Sequence, residues 1–96
     1  SSMTGISKQQ TRCVFHGNVQ GVAFRYTTVH VAHNFAVTGY VRNMPDGGVE
    51  LVAEGEPGEV GRFIAAVEKK MSGYIRGKTV EHSNELQGFG GFEIRF

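Results

Sequence analysis

With one cysteine in 96 residues, Cys13, the chain cannot form an internal disulfide, which excludes a scaffold stapled by disulfides. It has no apolar run long enough to span a bilayer. The opening Ser1-Ser2-Met3 is not read as a secretory leader, because no apolar stretch follows it. Neither sign of charge is in excess. Ten Lys and Arg against nine Asp and Glu leave a net charge of +1, which argues against the basic face that nonspecific nucleic-acid binding requires. Internal repeats and low-complexity linkers are also missing. The expectation is a cytoplasmic protein with no membrane or nucleic-acid partner. Cys13 lies in an apolar strand pattern and reads as a small core residue in a reducing compartment.

What is present fits one domain. Ser1 and Ser2 read as an expression scar, and residues 1–10 as that scar or a disordered N-terminal extension, ahead of a domain over residues 11–96. A chain of this size buries roughly 60–65% of its unfolded surface, enough for one modest core. No long apolar patch stands out, so a monomer is expected.

Residues 11–16 alternate as a strand. A glycine-bearing loop follows, and then a helix over residues 24–35, with Phe24, Thr28, Val31, Ala32 and Phe35 on one face. Residues 38–43 read as a strand, Pro45-Asp46-Gly47-Gly48 as a turn, and residues 49–54 as a half-buried strand with Val49, Leu51 and Ala53 inward. The clearest element is a second helix, with Val60, Phe63, Ile64, Val67 and Met71 as its apolar stripe. Its acids Glu56 and Glu59 lie near the start and Lys69 and Lys70 near the end, as the helix dipole favours, with Gly73 as the stop. Strands over residues 78–81 and 92–96 complete the order. Two split β-α-β units predict a ferredoxin-like α+β sandwich (βαββαβ), an antiparallel sheet with both helices on one face. That fold hosts many functions and decides none of them.

The segment Gly17-Asn18-Val19-Gln20-Gly21-Val22-Ala23-Phe24-Arg25 links a strand to a helix. Such a loop can turn successive N–H groups inward as a nest for an anion, and the helix start adds free N–H groups and partial positive charge. Arg25, in the first helical turn, can lean back over the loop and meet a phosphate with two parallel hydrogen bonds. On spacing alone the segment reads better as a plain turn followed by a solvated arginine. No Gly-Lys-Ser/Thr follows it and no third glycine falls in place, so it is neither a nucleotide P-loop nor a dinucleotide fingerprint.

This nine-residue segment closely resembles the signature loop of acylphosphatases. So does the run Thr38-Gly39-Tyr40-Val41-Arg42-Asn43-Met44-Pro45-Asp46-Gly47-Gly48-Val49, and Gly91-Phe92-Glu93-Ile94-Arg95-Phe96 looks like that family's last strand. The resemblance implies a metal-free enzyme without cofactor that hydrolyses acyl phosphates. It implies that Val19, Gln20, Gly21, Val22, Ala23 and Phe24, with Arg25, hold the phosphoryl group and that Asn43 orients the attacking water. It also implies small-molecule acyl phosphates as substrates, with inorganic phosphate as product and inhibitor. Two residues depart from the family pattern, Ala23 and Ala36, each standing where glycine is common. Ala23 is expected to reshape the cradle slightly. Ala36 is costly in a left-handed cap, so the first helix is expected to end differently.

The residue types suit that chemistry. An acyl phosphate expels a carboxylate whose conjugate acid has a pKa of roughly 4, so no general acid is needed. The two motifs accordingly hold no Asp–Asp pair and no catalytic cysteine, and Asp46 reads as a turn residue. Asn43 can both donate to and accept from a water but is no strong base. On composition alone it reads better as a strand-end asparagine entering a turn, and only the resemblance reverses that. His30 and His33 lie three apart and lack further ligands nearby, so they read as surface histidines; His16 is given no role. Three rivals remain. One is an RNA-recognition module, suggested by the aromatic tail at residues 87–96. Another is a phosphate-sensing module, which would have no use for Asn43 in register with Arg25. The third is one domain of a larger carbamoyl-transfer enzyme, where similar loops occur.

Overall fold

The computed structural model describes residues 8–21 and 23–96. Residues 1–7, most of the expected N-terminal extension, and Val22 lie outside the described residues. The elements are β1 (Gln9–Gly17), α1 (Phe24–Ala32), β2 (Thr38–Asn43), β3 (Val49–Gly55), α2 (Pro57–Lys70), β4 (Ile75–Ser83) and β5 (Phe92–Arg95). The five strands form one sheet in the order β4-β1-β3-β2-β5.

The two helices pack on each other and on the same sheet face, giving the expected sandwich. The core lies between the layers, where Cys13, Phe15, Val41, Val49, Leu51 and Ala53 meet Phe24, Val60, Phe63 and Val67. Fully burying one such valine or phenylalanine contributes about 1.5–3 kcal/mol. Within the core, burial pushes the Cys13 thiol up to about 11, which keeps it protonated and unreactive.

The sheet is mixed rather than wholly antiparallel. Strands β4, β1, β3 and β2 are antiparallel neighbours, but β5 runs parallel to β2. The chain leaves the β4 edge, reverses over residues 84–91 and re-enters beyond β2, so it returns in the direction of β2.

The second face of β3 is covered too. Alternation predicts Glu50, Val52 and Glu54 on a solvated face, yet every residue of β3 is buried. Glu50 accepts hydrogen bonds from Arg12 Nε at 2.5 Å, Arg42 Nε at 2.7 Å and Tyr40 Oη at 3.0 Å. Burial alone would raise its pKa; the bonds from Arg42, Arg12 and Tyr40 outweigh burial and hold it below the usual carboxylate range. Glu54 accepts from Gln10 Nε2 at 2.7 Å and from the backbone N–H groups of Gln87 at 2.7 Å and Gly88 at 3.1 Å, clamping the crossing segment down. The tail aromatics are divided between the two faces. Phe89 meets Tyr40 edge-on at 5.7 Å on the crossing side, and Phe92 meets Phe63 at 5.2 Å on the helical side.

Several element ends differ from expectation, those of β3 and β5 by one residue only. β1 starts at Gln9, two residues early, because Gln9 pairs with Gly55. β4 is longer than residues 78–81 because it pairs with β1 from Gln10↔Ser83 to Gly17↔Ile75. α2 stops at Lys70, with Met71 as its C-cap, before Gly73. α1 stops at Ala32, where tight turns from Asn34 N to Val31 O and from Phe35 N to Ala32 O replace the helical pattern. Phe35 still packs inward, 5.9 Å from the Phe63 ring, and Ala36 N donates to Glu59 Oε2 at 2.9 Å. Ala36 is not left-handed, so this exit avoids the expected cost.

Candidate active site

The topology brings the two motifs to one end of the sheet. β1 and β2 each run antiparallel to β3, which lies between them, so they point the same way. The loop leaves the end of β1 at Gly17, and Asn43 ends β2. Asn43 lies two residues beyond the buried Val41 and so shares its helix-facing side.

Backbone and burial shape the loop. Gly17 has φ 125°, and a Cβ there would lie 2.7 Å from both Arg76 N and Tyr74 O. Gly21 has φ 80°, open to glycine but strained for other residues. Val19 is fully buried, and the Phe24 ring packs 5.3 Å from Phe15. These two anchors tie down the loop and the start of α1.

Val19, Gly21, Ala23, Phe24, Arg25, Tyr26 and Asn43 line one cavity of about 320 Å³. Six of the eight residues named from sequence for the site are therefore together. Val22 lies outside the described residues. The Gln20 side chain is turned elsewhere, donating from Nε2 to Met44 O and to Gly48 O, each at 2.8 Å. Tyr26, mostly exposed, is an addition that sequence reasoning missed, since a tyrosine in a first helical turn follows no motif. His16, His30 and His33 are exposed.

The electrostatics at the start of α1 favour an anion. The first helical bond runs from Thr27 N to Ala23 O at 3.0 Å, which leaves the earlier N–H groups without helical partners. The N-cap, Ala23, offers no side-chain acceptor, and no acidic residue stands in the first turn. Arg25, in that turn, sits with its guanidinium carbon 4.9 Å from the Phe96 ring centroid, within cation–π range. The arrangement can hold a tetrahedral oxyanion beside a neutral amide.

Ala23 is where the departure from glycine is felt. It sits at φ 59°, ψ 28°, left-handed, where a Cβ costs about 1–2 kcal/mol. Relief of that strain, less the cost of the freer unfolded chain, leaves Ala23→Gly expected to stabilise the fold by a net of about 1 kcal/mol. For a domain of this size that raises Tm by about 4–8 °C. Thermal unfolding checks this, and an unchanged or lower Tm would contradict the strain.

The family model and the curated relatives point to one family. The acylphosphatase family model matches residues 11–94. An acylphosphatase from Methanospirillum hungatei is 39% identical over 83 residues, covering 85% of this chain and 91% of that protein. The crystal structure of acylphosphatase from Bacillus subtilis matches with a TM-score of 0.83 at 32% identity, covering 92% of this chain and 99% of that one. HypF from T. kodakarensis contains a similar region, with a TM-score of 0.77 at 30% identity, covering 91% of this chain and 12% of that one.

Proposed function

The chain belongs to the acylphosphatase family, an enzyme family that hydrolyses acyl phosphates, and from that premise we propose how its residues divide the work. The backbone N–H groups from Val19 to Phe24, Val22 included, cradle the phosphoryl group with Arg25. Asn43 positions the attacking water. The observation that carries this reading is the meeting of Arg25 and Asn43 in one cavity with the loop, at a helix start free of acidic residues.

Phosphoryl transfer is mostly positioning and charge stabilisation, with negative charge spread over three equatorial oxygens. Preorganised donors aimed at such charge contribute about 10²–10³ in rate apiece. Arg25 offers a planar fork to two of those oxygens. The water oxygen bonds to phosphorus as the bond from phosphorus to the acyl oxygen breaks. The carboxylate leaves with the electron pair and needs no proton. Asn43 is not a base, so the water proton passes to a phosphate oxygen. The chemistry asks for no metal.

Inorganic phosphate has the same oxygens as the transferred group, so it is expected to inhibit competitively. Titrated into 15N-labelled protein, it should move the amide signals of Val19 to Arg25 first. Shifts confined to Tyr40, Phe89 and Arg95 on the crossing face would instead favour a ligand for the aromatic surface.

A further inference from the structure

We propose that Gln20 is a positioning residue, whose side-chain amide ties the phosphate loop to the β2–β3 hairpin and so holds Asn43 at working distance from the bound phosphoryl group. This rests on the reading of Arg25 and Asn43 given above. The Gln20 backbone belongs to the loop, but its side chain leaves the cavity. Nε2 donates to Met44 O and to Gly48 O, both at 2.8 Å. An amide nitrogen carries two hydrogens, and these two carbonyls use both.

The two acceptors are the ones that matter for Asn43. Met44 follows Asn43 directly, and Met44 N donates to Gly48 O at 2.8 Å, closing the hairpin. Gly47 N donates to Met44 O at 3.1 Å. The hairpin is thus closed on itself by Met44 and Gly48, and Gln20 grips it at those same two carbonyls. Nothing in the hydrolysis consumes the Gln20 amide. Its effect is to fix one wall of the cavity against the other, where a displacement of about 1 Å can cost about 10²-fold in rate.

The role predicts coupling to Asn43, which a purely structural glutamine would not show. Gln20→Met keeps the length of the side chain and loses both hydrogens. Its kcat for an aryl acyl phosphate should fall about tenfold or more, measured well below its Tm, with inorganic phosphate bound within a few-fold of the parent. Made in Asn43→Ala protein, the same change should cost less than about twofold, because the water is no longer being positioned. An unchanged kcat in Gln20→Met would overturn the proposal, and so would phosphate affinity falling in step with kcat. A large loss in Asn43→Ala with an equal second loss from Gln20→Met would overturn the Gln20 role alone. Undiminished turnover in Asn43→Ala by itself would remove the water-positioning reading and this role with it.

Gln20→Glu gives a second arm should Gln20→Met not fold. Its ionised carboxylate has no hydrogen to offer two carbonyls, whereas the protonated acid has one. Its kcat relative to the parent should recover as pH falls through the carboxyl range, and a flat ratio would contradict the tie.

Discussion

Arg25→Lys is expected to lose both phosphate binding and turnover despite keeping its charge. Arginine presents a rigid planar fork that matches two phosphate oxygens, whereas lysine presents one point charge on a flexible stem. A lysine at position 25 could still lie over the Phe96 ring, which Arg25 meets at 4.9 Å, so that contact does not rescue the variant. Loss of a preorganised donor of this kind costs about 10²–10³ in kcat. In the proposed mechanism the fork also grips the ground-state phosphate, so the inhibition constant for inorganic phosphate should rise as well. Arg25→Ala should be at least as impaired. Steady-state kinetics with an acyl phosphate, paired with phosphate titration, reads both effects. A lysine variant with near-normal kcat and phosphate affinity would make Arg25 a solvated helix residue.

Asn43→Ala should separate binding from chemistry. In the proposed mechanism Asn43 acts on the nucleophile rather than on the bound phosphate, so its contribution belongs to the transition state. The variant should bind inorganic phosphate within a few-fold of the parent while hydrolysing acyl phosphate about 10²-fold more slowly or worse. Asn43 also ends β2 opposite Val49, so thermal unfolding has to accompany the kinetics. A well-folded Asn43→Ala protein with undiminished turnover would leave Arg25 and the backbone cradle as the whole site. Parallel losses in phosphate affinity and kcat would place Asn43 among the phosphate ligands instead.

Much of the site was legible because its local rules are strict. Gly17 and Gly21 stand where φ is 125° and 80°, and the run of residues 17–25 links strand to helix as it reads. The apolar stripe of α2 announced its buried face, since Val60, Phe63, Ile64, Val67 and Met71 are all buried. The proximity of Asn43 to Arg25 was of another kind. No periodicity places one strand end beside a helix start 18 positions earlier in the chain; that pairing came from resemblance to a family. The direction of the Gln20 side chain was likewise hidden, because its two acceptors are backbone carbonyls and any residue supplies one.

The errors share a physical origin. Alternation along β3 assigned Glu50 and Glu54 to one side correctly, but said nothing about whether that side is covered. Arg12, Arg42 and Tyr40 close over Glu50, and residues 84–91, with no hydrophobic period of their own, are held at Glu54 by the backbone bonds from Gln87 and Gly88. The parallel pairing of β5 follows from the same crossing. At the glycine departures, α1 ends without a left-handed residue at Ala36, as expected, while Ala23, expected only to reshape the cradle slightly, is the left-handed one. A helix can leave by tightening its last turn, as α1 does, whereas the chain enters α1 through a left-handed residue at Ala23.

The most direct measurement is hydrolysis of an aryl acyl phosphate by the unmodified protein, followed with and without excess chelator. Carboxylate and inorganic phosphate should appear in equal amounts, at the same rate in both, and far faster than from a simple phosphomonoester. Complete loss of activity in chelator, restored by a divalent cation, would contradict a site made of backbone N–H groups, Arg25 and Asn43.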